Sequence, residues 1–154
     1  MEKLNMEPFN VIGISVRTTN ENNQAATEIA DLWGKFMIEG VLEAIPNKID
    51  NTVYSIYTDY ESDHTKPYSV VLGCKVENLD EIPDGMTGKI IEGGNYVKLS
   101  AKGNLAEGLI VNKWIEIWGM DLNRVFTADY EVFGERAQNP ADAEIDFLIA
   151  VKEH

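Results

Sequence analysis

The chain repeats one order of strand-like and helix-like segments in its two halves, and this repetition constrains the fold more than any other feature. In the first half, residues 9–18 form a short run rich in β-branched side chains, bounded by Pro8 and polar residues. Residues 22–40 then carry apolar side chains at the three- and four-residue spacing of an amphipathic helix. Two runs rich in β-branched and aromatic residues follow at 52–62 and 68–78, which predicts a pair of strands.

The second half follows the same order after a connector rich in glycine and proline. Residues 95–103 are strand-like, and residues 104–121 have the apolar spacing of a second amphipathic helix. Two further strand-like runs, at 123–135 and 144–153, complete the repeat. Each half is therefore predicted to fold as strand, helix, strand, strand.

Two such units predict an α+β fold, because each helix can cover one face of an antiparallel sheet. We expect a single domain over residues 1–154, with pseudo-repeats at about 9–77 and 87–152, two main helices and a central groove. Small-molecule sites favour junctions of this kind, where both halves can contribute side chains.

The balance of charges argues against a nucleic-acid-binding protein. The chain carries 26 acidic and 13 basic residues, a net charge of −13, and its Lys and Arg residues are scattered singly from Lys3 to Lys152. A surface of this sign repels phosphate backbones unless a basic patch is present. We therefore expect no direct contact with nucleic acid.

Cysteine and histidine are too scarce for several kinds of chemistry. Cys74 is the only cysteine, which excludes an intrachain disulfide and a cysteine-based zinc site. The two histidines are His64, in a polar loop-like stretch, and the terminal His154, so neither a two-histidine metal site nor a histidine-based triad is expected. We predict no metal and no cofactor.

The sequence also lacks the marks of a membrane or secreted protein. The first ten residues contain no signal-peptide-like apolar stretch, and no apolar run reaches the roughly 20 residues that a membrane-spanning helix needs. We expect a cytoplasmic protein without membrane contact.

Glu131 is the main candidate for a binding residue. Strand alternation places Glu131 and Phe133 on one face, and the other face receives an apolar set that suits packing under a helix: Phe126, Ala128, Tyr130 and Val132. We therefore expect Glu131 to point away from the helix layer, either into solvent or into the groove. A carboxylate partly desolvated among aromatic rings would favour a positively charged ligand.

Aromatic side chains could form the walls around such a carboxylate. Trp33 and Trp118 lie near the margins of their apolar helix stripes, and Tyr57 shares a strand face with polar residues. Aromatic faces attract cations by about 0.5–2 kcal/mol each. Trp114, in contrast, sits within the apolar stripe of its helix and is expected to belong to the core.

Seven segments, in this order along the chain, resemble the GyrI-like small-molecule-binding domains, also called AraC-type effector-binding domains. The resemblance extends from about Phe9 to Val151 and is strongest with stand-alone members, and the segments are EIADLWGKF, VYSIYTDYESD, YSVVLGCKVEN, GGNYVKLSAKG, VNKWIEIWG, ADYEVFG and AEIDFLIAV. It implies a duplicated strand-helix-strand-strand fold whose central groove accepts hydrophobic, often cationic, aromatic compounds.

The resemblance also implies roles for particular residues. A groove glutamate of the family matches Glu131, and Trp33, Tyr57, Trp118 and Phe133 are the candidates for its aromatic walls. One departure is Ala150, because many members have proline after the isoleucine that corresponds to Ile149.

Three functions follow as hypotheses. The leading one is a protein that binds hydrophobic cationic small molecules, for sequestration or for transcriptional regulation. Family regulators carry a DNA-binding module for which this chain has no spare residues, so regulation would need a DNA-binding partner protein. The alternatives are a hydrolase of strained electrophilic toxins with Glu131 as general base, and a protein that binds and inhibits DNA gyrase.

Overall fold

The computed structural model describes residues 2–152, and within them one antiparallel sheet of eight strands carries the fold. The strands are β1 Glu2–Met6, β2 Phe9–Thr18, β3 Val53–Thr58, β4 Tyr68–Val76, β5 Thr87–Ile91, β6 Gly94–Gly103, β7 Arg124–Phe133 and β8 Ala143–Val151. The α-helices are α1 Gln24–Ile38, α2 Val41–Ala44 and α3 Leu109–Trp118. The predicted α+β class, with an antiparallel sheet and two main helices, is confirmed.

The strand order is symmetric about the centre of the sheet. The strands follow one another as β1-β6-β8-β7-β3-β4-β2-β5, and every neighbouring pair is antiparallel. Strands β3 and β7 meet at the centre, and their flanking strands extend outwards in matching order on either side. The pseudo-repeat bounds at 9–77 and 87–152 stay a prediction.

The two edge strands are exchanged between the halves. Strand β1 precedes β2 along the chain but pairs with β6, whereas β5 precedes β6 but pairs with β2. The β1–β2 and β5–β6 connections lie in contact with each other. A Cβ added at Gly93 would lie only 2.4 Å from the carbonyl oxygen of Met6. Each half thus supplies an edge strand to the other.

Both main helices pack on the same face of the sheet. Helix α1 covers β2 and β4 through a cluster that includes Phe36 and Leu72. Helix α3 covers β6 and β8 through a second cluster that includes Ile117 and Phe147. The central strands β3 and β7 lie between the two helices, and the space above these strands becomes the cavity.

The opposite face of the sheet is buried without a helix. Its cluster combines Tyr54 and Tyr130 of the central strands with Leu4 and Ile91 of the two edge strands, which are at opposite ends of the sheet. Residues so far apart in strand order can share one cluster only because the sheet curves around this face.

This arrangement corrects the predicted orientation of β7. Ala128, Tyr130 and Val132 lie on the face without helices, so Glu131 faces the helix layer rather than pointing away from it. Ala128, Tyr130 and Val132 are buried or partly buried, as their apolar character predicts, but they pack within the curved sheet and not under a helix. Phe126 departs from the alternation, because its φ is +59° within a stretch where the β7–β8 register shifts.

No helix among residues 2–152 has the length and apolar character needed to cross a bilayer.

Candidate ligand-binding site

A cavity of about 1580 Å³ lies between α1 and α3, above the central strands. Its volume exceeds the range of about 300–1,000 Å³ that is usual for drug-sized ligands. Aromatic side chains from both halves of the chain line it: Trp33, Tyr57, Tyr60, Tyr68, Trp114, Trp118 and Phe133.

Glu131 lies on the floor of this cavity with only 1% of its surface exposed. The Tyr57 hydroxyl donates a hydrogen bond of 2.7 Å to Oε2 of Glu131, and the Trp114 indole N–H donates one of 2.5 Å to the same oxygen. Within residues 2–152, neither a Lys nor an Arg forms an ion pair with this carboxylate, and Oε1 accepts no hydrogen bond. One carboxylate oxygen is therefore held in place by neutral donors, and the other is without a donor in the described part of the chain.

Burial decides the protonation states of the Tyr57 hydroxyl and the Glu131 carboxyl group. Burial raises the pKa of Glu131 to about 7, and the hydrogen bonds from Tyr57 and Trp114 oppose this rise. Burial, together with the charge of Glu131, raises the pKa of Tyr57 well above its ordinary value. Tyr57 is therefore a neutral donor, and Glu131 gains or loses its proton near neutral pH.

The register of the central strands places these groups side by side. Ser55 is opposite Glu131 and Tyr57 is opposite Asp129 in the β3–β7 pair, so all four side chains point to the helix face. Trp114 approaches from α3, and its ring centroid lies 5.1 Å from that of Tyr57 at an interplanar angle of 70°. The Glu131 site therefore needs β3, β7 and α3 together.

The walls of the cavity also come from both halves. Trp33 of α1 packs edge-on against Phe133 of β7, with the ring centroids 4.9 Å apart. At the mouth, Trp118 stacks on His64 at 5.1 Å with the rings nearly parallel, and 38% of Trp118 stays exposed. Burial, and then the charge of Arg124, lower the pKa of His64, which favours a neutral imidazole.

A second buried carboxylate lies beside Glu131 but is fully partnered. Asp129 accepts hydrogen bonds from Arg124 at 2.7 Å, from the Tyr60 hydroxyl at 2.6 Å and from the Ala150 backbone N–H at 2.9 Å. Proline at position 150 would lack this N–H. The departure at Ala150 from the family pattern thus supplies a donor to the Asp129 network.

All five residues predicted from the sequence line this one cavity: Trp33, Tyr57, Trp118, Glu131 and Phe133. Their role in binding stays a prediction. Trp114 was missed because its apolar stripe indicated core packing, and it is indeed only 8% exposed. Its position one helical turn before Trp118 was the available signal, since such residues share a helix face. His64 and Arg124 were missed as well, and the sequence pattern carried no sign that the 59–67 loop and the start of β7 meet at the cavity.

Comparison with known proteins places the chain in a family. A family model described as Cass2, integron-associated effector binding protein, matches residues 4–151. The chain belongs to this family. The Cass2 match and the antiparallel α+β architecture confirm the resemblance to effector-binding domains and the prediction of a small-molecule-binding protein.

Several relatives resemble the chain over nearly its whole length. An integron cassette protein from the mobile metagenome of Vibrio cholerae is 29% identical, with a TM-score of 0.74 over 98% of this chain and 95% of that one. A putative transcriptional regulator of Bacillus subtilis, YobU, is 24% identical over 91% of this chain and 90% of its own length. The structure of SAV2435 bound to tetraphenylphosphonium shares the fold, with a TM-score of 0.76, 15% identity and coverage of 98% of this chain and 93% of that one.

Proposed function

We propose that this protein binds hydrophobic aromatic cations in the cavity between α1 and α3, with Glu131 as the counter-ion. The observation that carries the proposal is the buried carboxylate whose Oε1 accepts no hydrogen bond and which lacks a basic partner among residues 2–152. A cation beside Oε1 would supply the missing charge. Trp33, Tyr57, Trp118 and Phe133 would surround its apolar body.

Electrostatics supports a cation rather than an anion or a neutral compound. A buried carboxylate without a partner cation is costly, which is why the pKa of Glu131 rises to about 7. A bound cation would favour the ionised form and thus gain free energy from the same low dielectric. The binding of tetraphenylphosphonium by SAV2435 agrees with this ligand class.

Titration with tetraphenylphosphonium, followed by tryptophan fluorescence, tests the proposal, because Trp33, Trp114 and Trp118 all line the cavity. We expect Glu131→Gln to weaken binding at pH 8 at least about tenfold, since the charge is lost and the shape is kept. Glu135→Gln is the matched control, because Glu135 lines the cavity but is exposed. Equal affinities of Glu131→Gln and the parent would overturn the counter-ion role.

A second part of the proposal concerns regulation in the cytoplasm. The name of the Bacillus subtilis relative points to transcription, whereas a net charge of −13 opposes direct contact with DNA. We therefore propose that a transcriptional effect is exerted through a DNA-binding partner protein. A gel-shift assay in which the purified protein binds promoter DNA alone would contradict this view.

A further inference from the structure

Exposed apolar side chains border the mouth of the cavity between α1 and α3. Met37 of α1 is 72% exposed, and Val111 and Ile115 of α3 are 59% and 56% exposed. Trp118, at the end of α3, is 38% exposed, and all four residues line the cavity. We call these four residues the apolar rim, because they meet solvent and are also continuous with the cavity wall.

The apolar rim departs from the usual pattern of an amphipathic helix. Positions exposed to solvent are normally polar, and the apolar stripe of the helix faces the core. Here the cavity-lining side chains of α1 and α3, taken over the described residues, are all apolar, whether they are buried, as Trp114 is, or exposed, as Ile115 is. Exposed apolar surface that adjoins a cavity is typical of a binding site.

The part of the apolar rim on α3 forms a ridge along the helix. Val111, Ile115 and Trp118 are separated by four and three residues, so they lie on one face. At 1.5 Å per residue this ridge extends over about 10 Å. Trp114, on the same helix, donates its indole N–H to Glu131. One helix therefore borders both the anionic group on the floor and the apolar surface at the mouth.

The chain of an amphiphile fits this surface better than a second protein molecule does. The apolar rim has four residues, whereas a stable protein interface uses about 20–30 residues from each partner. A narrow apolar ridge that continues from a cavity with a buried carboxylate matches a molecule with a cationic head and an apolar chain. The cavity volume of about 1580 Å³ also exceeds what one compact drug-sized ligand fills.

We infer that the apolar rim binds a flexible alkyl chain of the ligand, whose cationic head lies beside Glu131. The inference rests on the proposed function and narrows its ligand class to cationic amphiphiles, in which an aromatic cation carries a long alkyl chain. The chain leaves the cavity through its mouth and lies along Val111 and Ile115, with Met37 on the opposite side.

A series of alkyltriphenylphosphonium cations tests this inference, because the head stays the same while the chain grows from butyl to hexyl, octyl and decyl. A methylene raises affinity about fourfold when it is completely buried, and about twofold when it lies half-buried in a groove. We therefore expect the parent protein to bind the decyl compound about 50-fold more tightly than the butyl compound. Titration followed by tryptophan fluorescence gives the four affinities.

Serine substitutions on the ridge assign this gain to the apolar rim. The double variant Val111→Ser, Ile115→Ser should bind the butyl compound as the parent does, and its gain from butyl to decyl should fall below about tenfold. Serine has nearly the helix propensity of valine and isoleucine, so α3 is kept, and Ile115→Ser alone serves if the double variant does not fold. The matched control is Ile38→Ser, Ile90→Ser, because these residues are 87% and 64% exposed and lie outside the cavity lining. This control should keep the 50-fold gain.

Three results would overturn the inference. Equal affinities of the parent for the butyl and decyl compounds would show that the chain gains nothing at the mouth. A 50-fold gain that survives in the ridge variants would place the chain elsewhere. Sedimentation velocity without ligand gives the third, namely a parent dimer that the ridge variants convert to a monomer, because a second copy would then cover the apolar rim.

Glu131→Gln separates this inference from the proposed function. We expect this variant to weaken all four compounds by the same factor and to keep the gain from butyl to decyl. Full-strength binding of the series by Glu131→Gln, with the gain intact, would overturn the counter-ion role and leave the role of the apolar rim standing. If the parent binds none of the four cations, both proposals fall.

Discussion

Glu131 is held in place by neutral donors rather than by a cation. Tyr57 and Trp114 both donate to its Oε2, and neither brings a positive charge. Hydrogen bonds of this kind offset only part of the cost of removing a carboxylate from water. The folded protein without ligand therefore carries a destabilising group at its centre.

The free energy of unfolding should reveal this cost as a function of pH. The pKa of Glu131 is about 7 in the folded protein against an ordinary value of 4.5, so the folded state binds more protons between these values and stability falls as pH rises through them. We expect the free energy of unfolding of Glu131→Gln to exceed that of the parent by about 3 kcal/mol at pH 8. At pH 4 the two free energies of unfolding should differ little. Urea denaturation at pH 4, 6 and 8 measures the difference, and a difference independent of pH would contradict the prediction.

At this scale, sequence reasoning found the residues whose type is unusual for their place and missed those whose role depends on distant contacts. Glu131 was recognisable because a carboxylate flanked by aromatic residues in a strand is out of place as a core residue. Trp114 looked like an ordinary core tryptophan, and only the fold shows that its N–H reaches Glu131. The ion pair of Arg124 with Asp129 forms across a register shift of the β7–β8 pair that local pattern does not reveal.

Among the elements, the pairing of β2 with β4 depends on a close approach of the two backbones. Gly13 and Gly73 are opposite each other in this pair, and both are without side chains where the two backbones approach. A Cβ at Gly13 would lie 1.9 Å from the Leu72 carbonyl oxygen, and one at Gly73 would lie 2.2 Å from the Ile12 carbonyl oxygen. The close approach of these strands therefore requires glycine on both sides.

Alanine substitutions should separate this requirement from the general effect of removing glycine. Gly13→Ala forces the strands apart, and we expect it to lower the free energy of unfolding by at least about 2 kcal/mol. Gly34→Ala, inside α1 with open space around it, should instead raise it by about 1 kcal/mol. Thermal or urea denaturation of both variants is the measurement. A neutral Gly13→Ala would show that the strands can part without cost.

The sequence was sufficient to predict the strand-helix-strand-strand order of each half but not the side of the sheet on which the helices lie. Hydrophobic periodicity reports burial, and both faces of β7 are buried, one under the helix layer and one within the curved sheet. Strand β1 was not predicted, because Glu2–Met6 has no strong strand pattern and is held by backbone pairing with β6. Strands that are distant in sequence decide both the orientation of β7 and the formation of β1.

For the whole molecule, the net charge of −13 acts on the proposed cationic ligand before that ligand reaches the cavity. Summed surface charge raises the association rate of an oppositely charged ligand, and salt screens this attraction over about 8 Å at physiological ionic strength. Glu131, inside the cavity, is screened much less. The effect of the surface charge on ligand association can thus be separated from the effect of Glu131 on ligand dissociation.

Stopped-flow binding of tetraphenylphosphonium should show this separation. We expect the association rate constant to fall severalfold between about 20 mM and 500 mM salt, and the dissociation rate constant to change little. The triple variant Asp80→Asn, Glu81→Gln, Asp84→Asn, which neutralises exposed acids outside the cavity lining, should depend less on salt. An association rate that is insensitive to salt in the parent would contradict the role of the bulk charge.

The exchange of β1 and β5 between the halves limits how a ligand can enter. Each half is bound to the other by an edge strand as well as at the β3–β7 centre, so the floor of the cavity cannot widen by the halves swinging apart. The rim of the cavity lies outside that frame, where exposed lining residues such as Met37, Val111 and Trp118 border solvent. We therefore expect ligand entry to depend on helix and loop side chains at the rim of the cavity, and the floor formed by β3 and β7 to keep its shape.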